Sequence, residues 1–335
     1  MEAWIEQLKN RVNTIKHLKA LVTVSAQEEA ALRAIDSRWG TTLYFASLMD
    51  KTNPNCPIRK QVIPSIAEVR ALRSWDLSKK TLPPAFPGNS TPECIVQKYP
   101  DRVAFIVSDR CASYCRFCFR KELVMTKTKP LSLKVEEGIR WIRTAHHIRD
   151  VLITGGDPFI LSDDRIEHLV RRLREIPHIE MIRFGTRTPI VFPQRITAPL
   201  CRILGGFHRV PIWVNTHCNH PKEITMHTAR AIFKLLSSGV NVGNQAVLLR
   251  GINDDQDTLR RLHQKLLSIR IRPYYLFHCE MAPGNEAFRT PIALGKTLLT
   301  RALCGHTTGL ARPIYAVDTE KGKQSTLSVA LNVGL

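Results

Sequence analysis

The chain has 335 residues, of which 44% are hydrophobic and 23% charged, and it carries a formal net charge of +20. That apolar content excludes disorder as the dominant state, and no apolar run approaches the roughly 18 residues that cross a bilayer. The nine cysteines are odd in number and the N-terminus lacks a continuous apolar core, which argues against a secreted disulfide framework.

The opening stretch MEAWIEQLKNRVNTIKHLKAL carries Glu2 and Glu6 and reads as an amphipathic helix, neither signal nor transit peptide. A cytoplasmic location without a membrane partner is expected from it. Residues 1–95 read as a helical and irregular region. Within it, Ser25 and Glu28 have the spacing of a capping box at the start of SAQEEAALRAI. The proline-rich stretch from Leu82 to Glu93 reads as a linker or an extended wrap.

The period then changes. Short apolar runs predict strands at Arg102 to Asp109, Asp150 to Thr154, Glu180 to Gly185, Pro211 to Thr216, Val240 to Leu249, Arg272 to Phe277 and Pro313 to Asp318. Helical periodicity separates them, at Leu133 to Ala145, Asp163 to Glu175, Thr225 to Ser238 and Gln256 to Ile269. Such alternation implies an α/β protein with a parallel sheet and helices outside it, a full or partial barrel. A barrel unit over residues 96–305 and a short C-terminal segment over 306–335 are expected. Chemistry in such folds gathers at the C-terminal ends of the strands.

The basic excess raises a polyanion such as nucleic acid as a partner. However, Lys and Arg are scattered, and the densest clusters are Arg171, Arg172 and Arg174, then Arg260 and Arg261. No run alternates basic and aromatic residues, so nucleic-acid binding is the minor reading.

Six cysteines stand apart (Cys56, Cys94, Cys201, Cys218, Cys279 and Cys304) and are expected to be buried small hydrophobes. The other three, Cys111, Cys115 and Cys118, crowd into CASYCRFC directly after the first predicted strand. Thiolates are the usual ligands of iron–sulfur clusters and of zinc, and a closed structural zinc site takes four ligands. Three thiolates on a four-iron cluster leave one iron open to an outside ligand. The next strand ends in TGGDP, where Gly155 and Gly156 permit close backbone approach to a ligand and Asp157 is able to pair with an ammonium.

The spacing C-x3-C-x2-C, with Phe117 before the last cysteine, resembles the radical S-adenosylmethionine superfamily. From about Trp4 to Lys323 the chain resembles one family within it, lysine 2,3-aminomutase. The resemblance rests on KYPDRV, CRFCFRKE, IRDVLITGGDP, RTPIVFPQRIT, VNTHCNHPKEIT, GNQAVLLRGIND, RPYYLFHCE and FRTPI. It implies a partial (β/α)6-type radical S-adenosylmethionine barrel with a helical N-terminal region and a short C-terminal extension. The implied cofactors are a [4Fe-4S] cluster on Cys111, Cys115 and Cys118, S-adenosyl-L-methionine, and pyridoxal 5′-phosphate. The implied reaction is an isomerisation that moves the 2-amino group of a basic amino acid, L-lysine first, to C3. A reducing donor such as flavodoxin or ferredoxin is implied as a partner.

The resemblance also assigns roles. Arg120 matches the arginine on the substrate carboxylate, and Glu280 and Asp318 match two acids on the side-chain ammonium, with Glu280 replacing an aspartate. Lys98, Arg102 and Gln245 match cofactor- and phosphate-contacting positions, with Lys98 replacing an arginine. Gly155, Gly156, Asp157 and His217 match positions around S-adenosylmethionine. Lys323 is the best match for the lysine that carries pyridoxal phosphate, with Lys321 as competitor, in a segment two residues shorter than the family's. Asp255 stands where clostridial-type relatives have a zinc cysteine, and their C-terminal zinc segment has no counterpart, so no zinc site is expected and a homo-oligomer is left open. The alternatives are the same chemistry on arginine or for modifying elongation factor P, and a basic iron–sulfur protein that binds nucleic acid with degenerate pyridoxal chemistry.

Overall fold

The computed structural model describes residues 3–74, 91–125, 135–319 and 322–325. The apolar, β-branched runs RVAFIVS and DVLITG have few polar side chains to offer water on either face, so they pair as strands covered on both sides. Among the described residues nine strands follow in chain order: β1 (Ile95–Tyr99), β2 (Arg102–Ser108), β3 (Asp150–Gly155), β4 (Met181–Gly185), β5 (Ile212–Thr216), β6 (Asn241–Leu248), β7 (Arg272–His278), β8 (Ile314–Thr319) and β9 (Gly322–Ser325). Their spatial order is their sequence order.

From β2 to β8 every neighbour is parallel, while β1 and β9 pair antiparallel at the two ends. A parallel neighbour requires a crossover, and helices supply it at Val135–Thr144, Asp163–Arg174, Ala198–Leu204, Met226–Ser237, Gln256–Ser268 and Ile292–Leu303. Stepping one strand at a time in one direction curls the sheet toward closure. The two ends meet through side chains: Lys98 Nζ lies 2.6 Å from Asp318 Oδ1, and the Lys323 N–H donates to Tyr99 Oη at 2.9 Å. The barrel is therefore nearly closed, as expected. The hairpin strands β1 and β9 were not expected, because both are short, β9 has no apolar side chain, and β1 buries Gln97 where an apolar residue would mark the alternation.

Local signals set the helix starts. Ser25 and Glu28 form the expected reciprocal cap. Asp255 caps the helix after β6, with Oδ1 accepting from the Thr258 N–H at 2.8 Å. The N-terminal helices share one apolar core with the barrel: Trp4, Leu18 and Phe45 belong to the same buried cluster as Val103, Ile153 and Phe184. The proline-rich segment 82–90 and Lys321 lie outside the described residues. Of the six solitary cysteines five are buried, but Cys304 is exposed. It caps the end of the last crossover helix, where no neighbouring layer covers it.

One buried ionic group joins the N-terminal region to the cysteine loop. Glu68, on the helix Ile66–Ser74, accepts from Arg116 at 2.7 Å and Lys121 at 2.9 Å. Burial alone would raise the Glu68 pKa, but the two cations outweigh it and hold the carboxylate below its ordinary value. Substituting Glu68→Gln strands two cations in the interior. A loss of about 3–5 kcal/mol in unfolding free energy is expected at pH 7. The difference is complete above the unfolded carboxylate value of about 4.5 and is lost as pH falls through the lower folded value, beneath which Glu68 is protonated in both states. Denaturant titration at pH 7 and pH 4 checks both.

Candidate active site

The ends of the parallel strands carry the conspicuous side chains. The cysteine loop follows β2 and the GGDP turn follows β3, and their backbones are pressed together. Gly156 N–H donates to Ser108 O at 2.6 Å and Asp157 N–H to Arg110 O at 2.7 Å. A Cβ on Gly156 would stand 2.2 Å from Arg110 O, and one on Gly155, at φ +135°, 2.3 Å from Ser108 O. Glycine is thus required at both positions by backbone contact with the cysteine loop.

Asp157 is held by four protein donors. Its carboxylate accepts from Thr186 Oγ1 at 2.6 Å, Phe159 N at 3.0 Å, Arg187 N at 2.9 Å and Thr188 N at 3.0 Å. Both oxygens are occupied by protein donors, so the carboxylate fastens the turn after β3 to the loop after β4.

Cys111, Cys115 and Cys118 are partly buried and form no disulfide among the described residues. Burial pushes the Cys111 thiol well above its ordinary value, with Asp157, Cys118 and Cys115 adding to the shift. Burial and then Cys115 push Cys118 up to about 11. The three sulfurs therefore lie within electrostatic reach of each other. Among the described residues no three His, Cys, Asp or Glu side chains converge on the position of a single metal ion. A polynuclear cluster asks for something different, one thiolate per iron, and this loop offers three. Arg187, at the end of β4, donates through Nη1 to Cys115 Sγ at 2.8 Å and through Nη2 to Glu223 Oε2 at 2.9 Å. Burial would lower the Arg187 pKa, yet Cys115 and Glu223 outweigh it and raise it. A fixed cation thus faces the Cys115 sulfur.

His217, just beyond β5, stacks on Phe117 of the cysteine loop with ring centroids 5.4 Å apart. Burial and the Arg187 cation push it down to about 3, so the ring is neutral. Its Nε2 is buried without a partner among the described residues, as are Thr188 Oγ1, Asn215 Nδ2 and Thr216 Oγ1 from the same rim. Orphaned buried polar atoms carry a desolvation cost that a polar ligand removes. The residues present fit S-adenosylmethionine beside the cluster.

Arg120 is anchored through Nη1 to Thr154 Oγ1, at the end of β3, at 2.9 Å. Burial lowers its pKa, and Cys118, Glu280, Cys111 and Asp318 oppose that shift. One guanidinium thus senses both the cysteine loop and the two acids. Glu280, after β7, is pushed up to about 7 by burial and then by Asp318, against Arg120, Lys98 and Lys323. The expected carboxylate clamp and acidic pair therefore share one electrostatic environment.

Lys98 pairs with Asp318 at 2.6 Å, because β1 and β8 face each other across the barrel seam. Lys323 stands opposite Asp318 in the β8–β9 register. Although the residue as a whole is exposed, its Nζ lies over the rings of Tyr275 and Phe277 at 5.0 and 4.8 Å. Burial of the ammonium pushes it down to about 8, against Asp318. Arg102 lies over the Tyr99 ring at 4.1 Å, and half-buried Gln245 pairs with Tyr275 in the β6–β7 register. An amine, aromatic faces and a basic rim fit pyridoxal phosphate.

Sequence reasoning passed over Arg187, Thr154, Tyr275 and Phe277. Each sits at or near the C-terminal end of a predicted strand, the signal that would have found them. Substituting Gly156→Ala drives a methyl into the Arg110 backbone. It is expected to cost about 1–3 kcal/mol of stability and most of the iron bound after anaerobic reconstitution. Iron per chain and a thermal melt measure the two.

The radical SAM superfamily model matches residues 105–262. L-lysine 2,3-aminomutase from Fusobacterium nucleatum is 40% identical over 96% of this chain and 75% of its own. L-lysine 2,3-aminomutase from Bacillus subtilis is 40% identical over 95% of this chain and 67% of its own. Glutamate 2,3-aminomutase from Clostridioides difficile is 38% identical over 96% and 75%.

Proposed function

The chain belongs to the lysine 2,3-aminomutase family of radical S-adenosylmethionine enzymes, and on that footing we propose that its substrate is L-lysine, isomerised to β-lysine. The protein is an isomerase whose family uses a [4Fe-4S] cluster, S-adenosylmethionine and pyridoxal phosphate. When bound, these groups supply the radical that takes a hydrogen from the substrate's β carbon and the carrier for the migrating nitrogen.

The observation that carries the substrate assignment is the position of Arg120, within electrostatic reach of Cys111 and Cys118 and also of Glu280 and Asp318. Arg120 offers a planar guanidinium to the carboxylate of an amino acid. Glu280 and Asp318 offer negative charge to a cation at its other end. Glutamate, the substrate named for one relative, would bring a second carboxylate to two acids, a like-charge contact that costs affinity. L-lysine brings an ammonium instead, which lets Glu280 ionise. Cys111, Cys115 and Cys118 are proposed as the cluster ligands, and His217 and the Gly155–Gly156 backbone as contacts of S-adenosylmethionine. Lys323 is proposed to hold pyridoxal phosphate, its lowered pKa leaving part of the amine unprotonated near neutral pH. Arg102 and Gln245 are proposed to contact the same cofactor.

Substituting Glu280→Gln is expected to lower kcat/KM for L-lysine about 100-fold, since it removes one partner of a desolvated charge pair. In the parent protein kcat/KM should rise as pH passes through about 7, where Glu280 gains its charge, and this limb should vanish in the variant. Stability moves oppositely. A folded pKa raised from 4.5 to about 7 means that the cofactor-free protein loses stability as pH rises through that window, so Glu280→Gln should melt higher than the parent at pH 8. An unchanged rate with lysine, or turnover of glutamate in preference to lysine, overturns the assignment.

A sodium borohydride treatment of protein loaded with pyridoxal phosphate tests the lysine. Mass spectrometry is expected to find the reduced adduct on Lys323 and none in Lys323→Gln. An adduct on Lys321 reassigns the role.

A further inference from the structure

A cleft of about 460 Å³ opens between the N-terminal helices and the cysteine loop, lined among the described residues by Arg11, Arg38, Arg110, Trp39, Tyr114 and their neighbours. Three guanidiniums share it. The Asp109 carboxylate offsets one of them, pairing with Arg38 at 3.3 Å. Arg110 is exposed and directly precedes Cys111. Arg11 donates to the Cys111 carbonyl at 3.0 Å and lies over the ring of Tyr114, itself a residue of the triplet loop, at 5.5 Å. The wall of the cleft is therefore the backbone that carries the first proposed ligand.

The established chemistry needs one electron from outside the molecule to reach the cluster. The barrel rim is a poor entrance for it, because substrate and organic cofactors fill that side and water must be kept from the radical. The arginine cleft touches the cysteine loop from the N-terminal helices, with Arg110 exposed to solvent and Trp39 half-buried in its wall. Such a surface attracts an acidic protein, and the chain's net charge of +20 draws it in from a distance. We propose that this cleft docks a small acidic one-electron donor protein, which reduces the cluster through the cysteine loop. No atom is transferred: the donor loses one electron and the cluster gains it. The proposal rests on the reading of Cys111, Cys115 and Cys118 as cluster ligands.

The test uses full-length protein reconstituted anaerobically with iron and sulfide, and a flavodoxin of net negative charge in its hydroquinone form. Bleaching of the cluster is followed by stopped flow for the parent, Arg110→Gln and Arg110→Glu, after iron has been counted in each. At low salt the second-order rate should fall about threefold for Arg110→Gln and about tenfold for Arg110→Glu, and the three rates should converge at high salt. Dithionite, which needs no docking surface, should reduce all three alike. Wild-type rates for Arg110→Glu with flavodoxin overturn the proposal. Equal slowing with dithionite overturns it too, by assigning Arg110 to the integrity of the cluster. Parent protein that binds no iron sinks the cluster reading itself, before any donor is added.

Discussion

The contact on which the site depends is between two pieces of backbone. Gly156 presses against Arg110, and Gly155 against Ser108, at distances that leave no room for a Cβ. That contact fixes the loop after β2 to the turn after β3, and the Asp157 carboxylate then fixes the same turn to the loop after β4. Three adjacent strand ends become one rigid rim. Cys115 sits on that rim with Arg187 against its sulfur, and His217 stacks on Phe117 from the next strand. A site for radical chemistry needs such rigidity, since its ligands have to be held without the help of flexible side chains.

The second feature is charge kept away from water. Glu68 between Arg116 and Lys121 is a fully satisfied group, and it joins the N-terminal helices to the cysteine loop. Glu280 is different. It faces Asp318 at the barrel interior, and its raised pKa records an unfavourable arrangement in the absence of substrate. A cation in that space removes the penalty, so the destabilised acid is a store of binding free energy. Lys98 already neutralises Asp318 across the seam. Arg120, Lys98 and Lys323 also favour the ionised form of Glu280, but burial and Asp318 outweigh them, so a further cation close to the carboxylate is needed to ionise it fully near neutral pH.

Much of this was legible in the chain. The strands from Arg102 to Asp318 were apparent because buried parallel strands are nearly continuous apolar runs, and the spacing of the cysteine triplet pointed to the superfamily to which the chain belongs. Arg120, Glu280 and Asp318 were named from resemblance and do share one environment. What escaped reading depended on contacts distant in sequence. β1 and β9 are too short and polar to announce themselves. Asp157 looks free in a TGGDP string, and only the folded loops bring Thr186 and Arg187 to it. Lys98 meets Asp318 because the barrel curls round until its first and last strands face each other, 220 residues apart in the chain.

The most direct measurement follows the nitrogen. Anaerobically reconstituted, dithionite-reduced protein is given S-adenosylmethionine, pyridoxal phosphate and L-lysine carrying 15N only at the α-amino group, and the product is read by NMR. The account predicts β-lysine with the label bonded to C3 and none at the side-chain amine. Lysine recovered with all label still on C2, from protein that holds both its cluster and its pyridoxal phosphate, would contradict it.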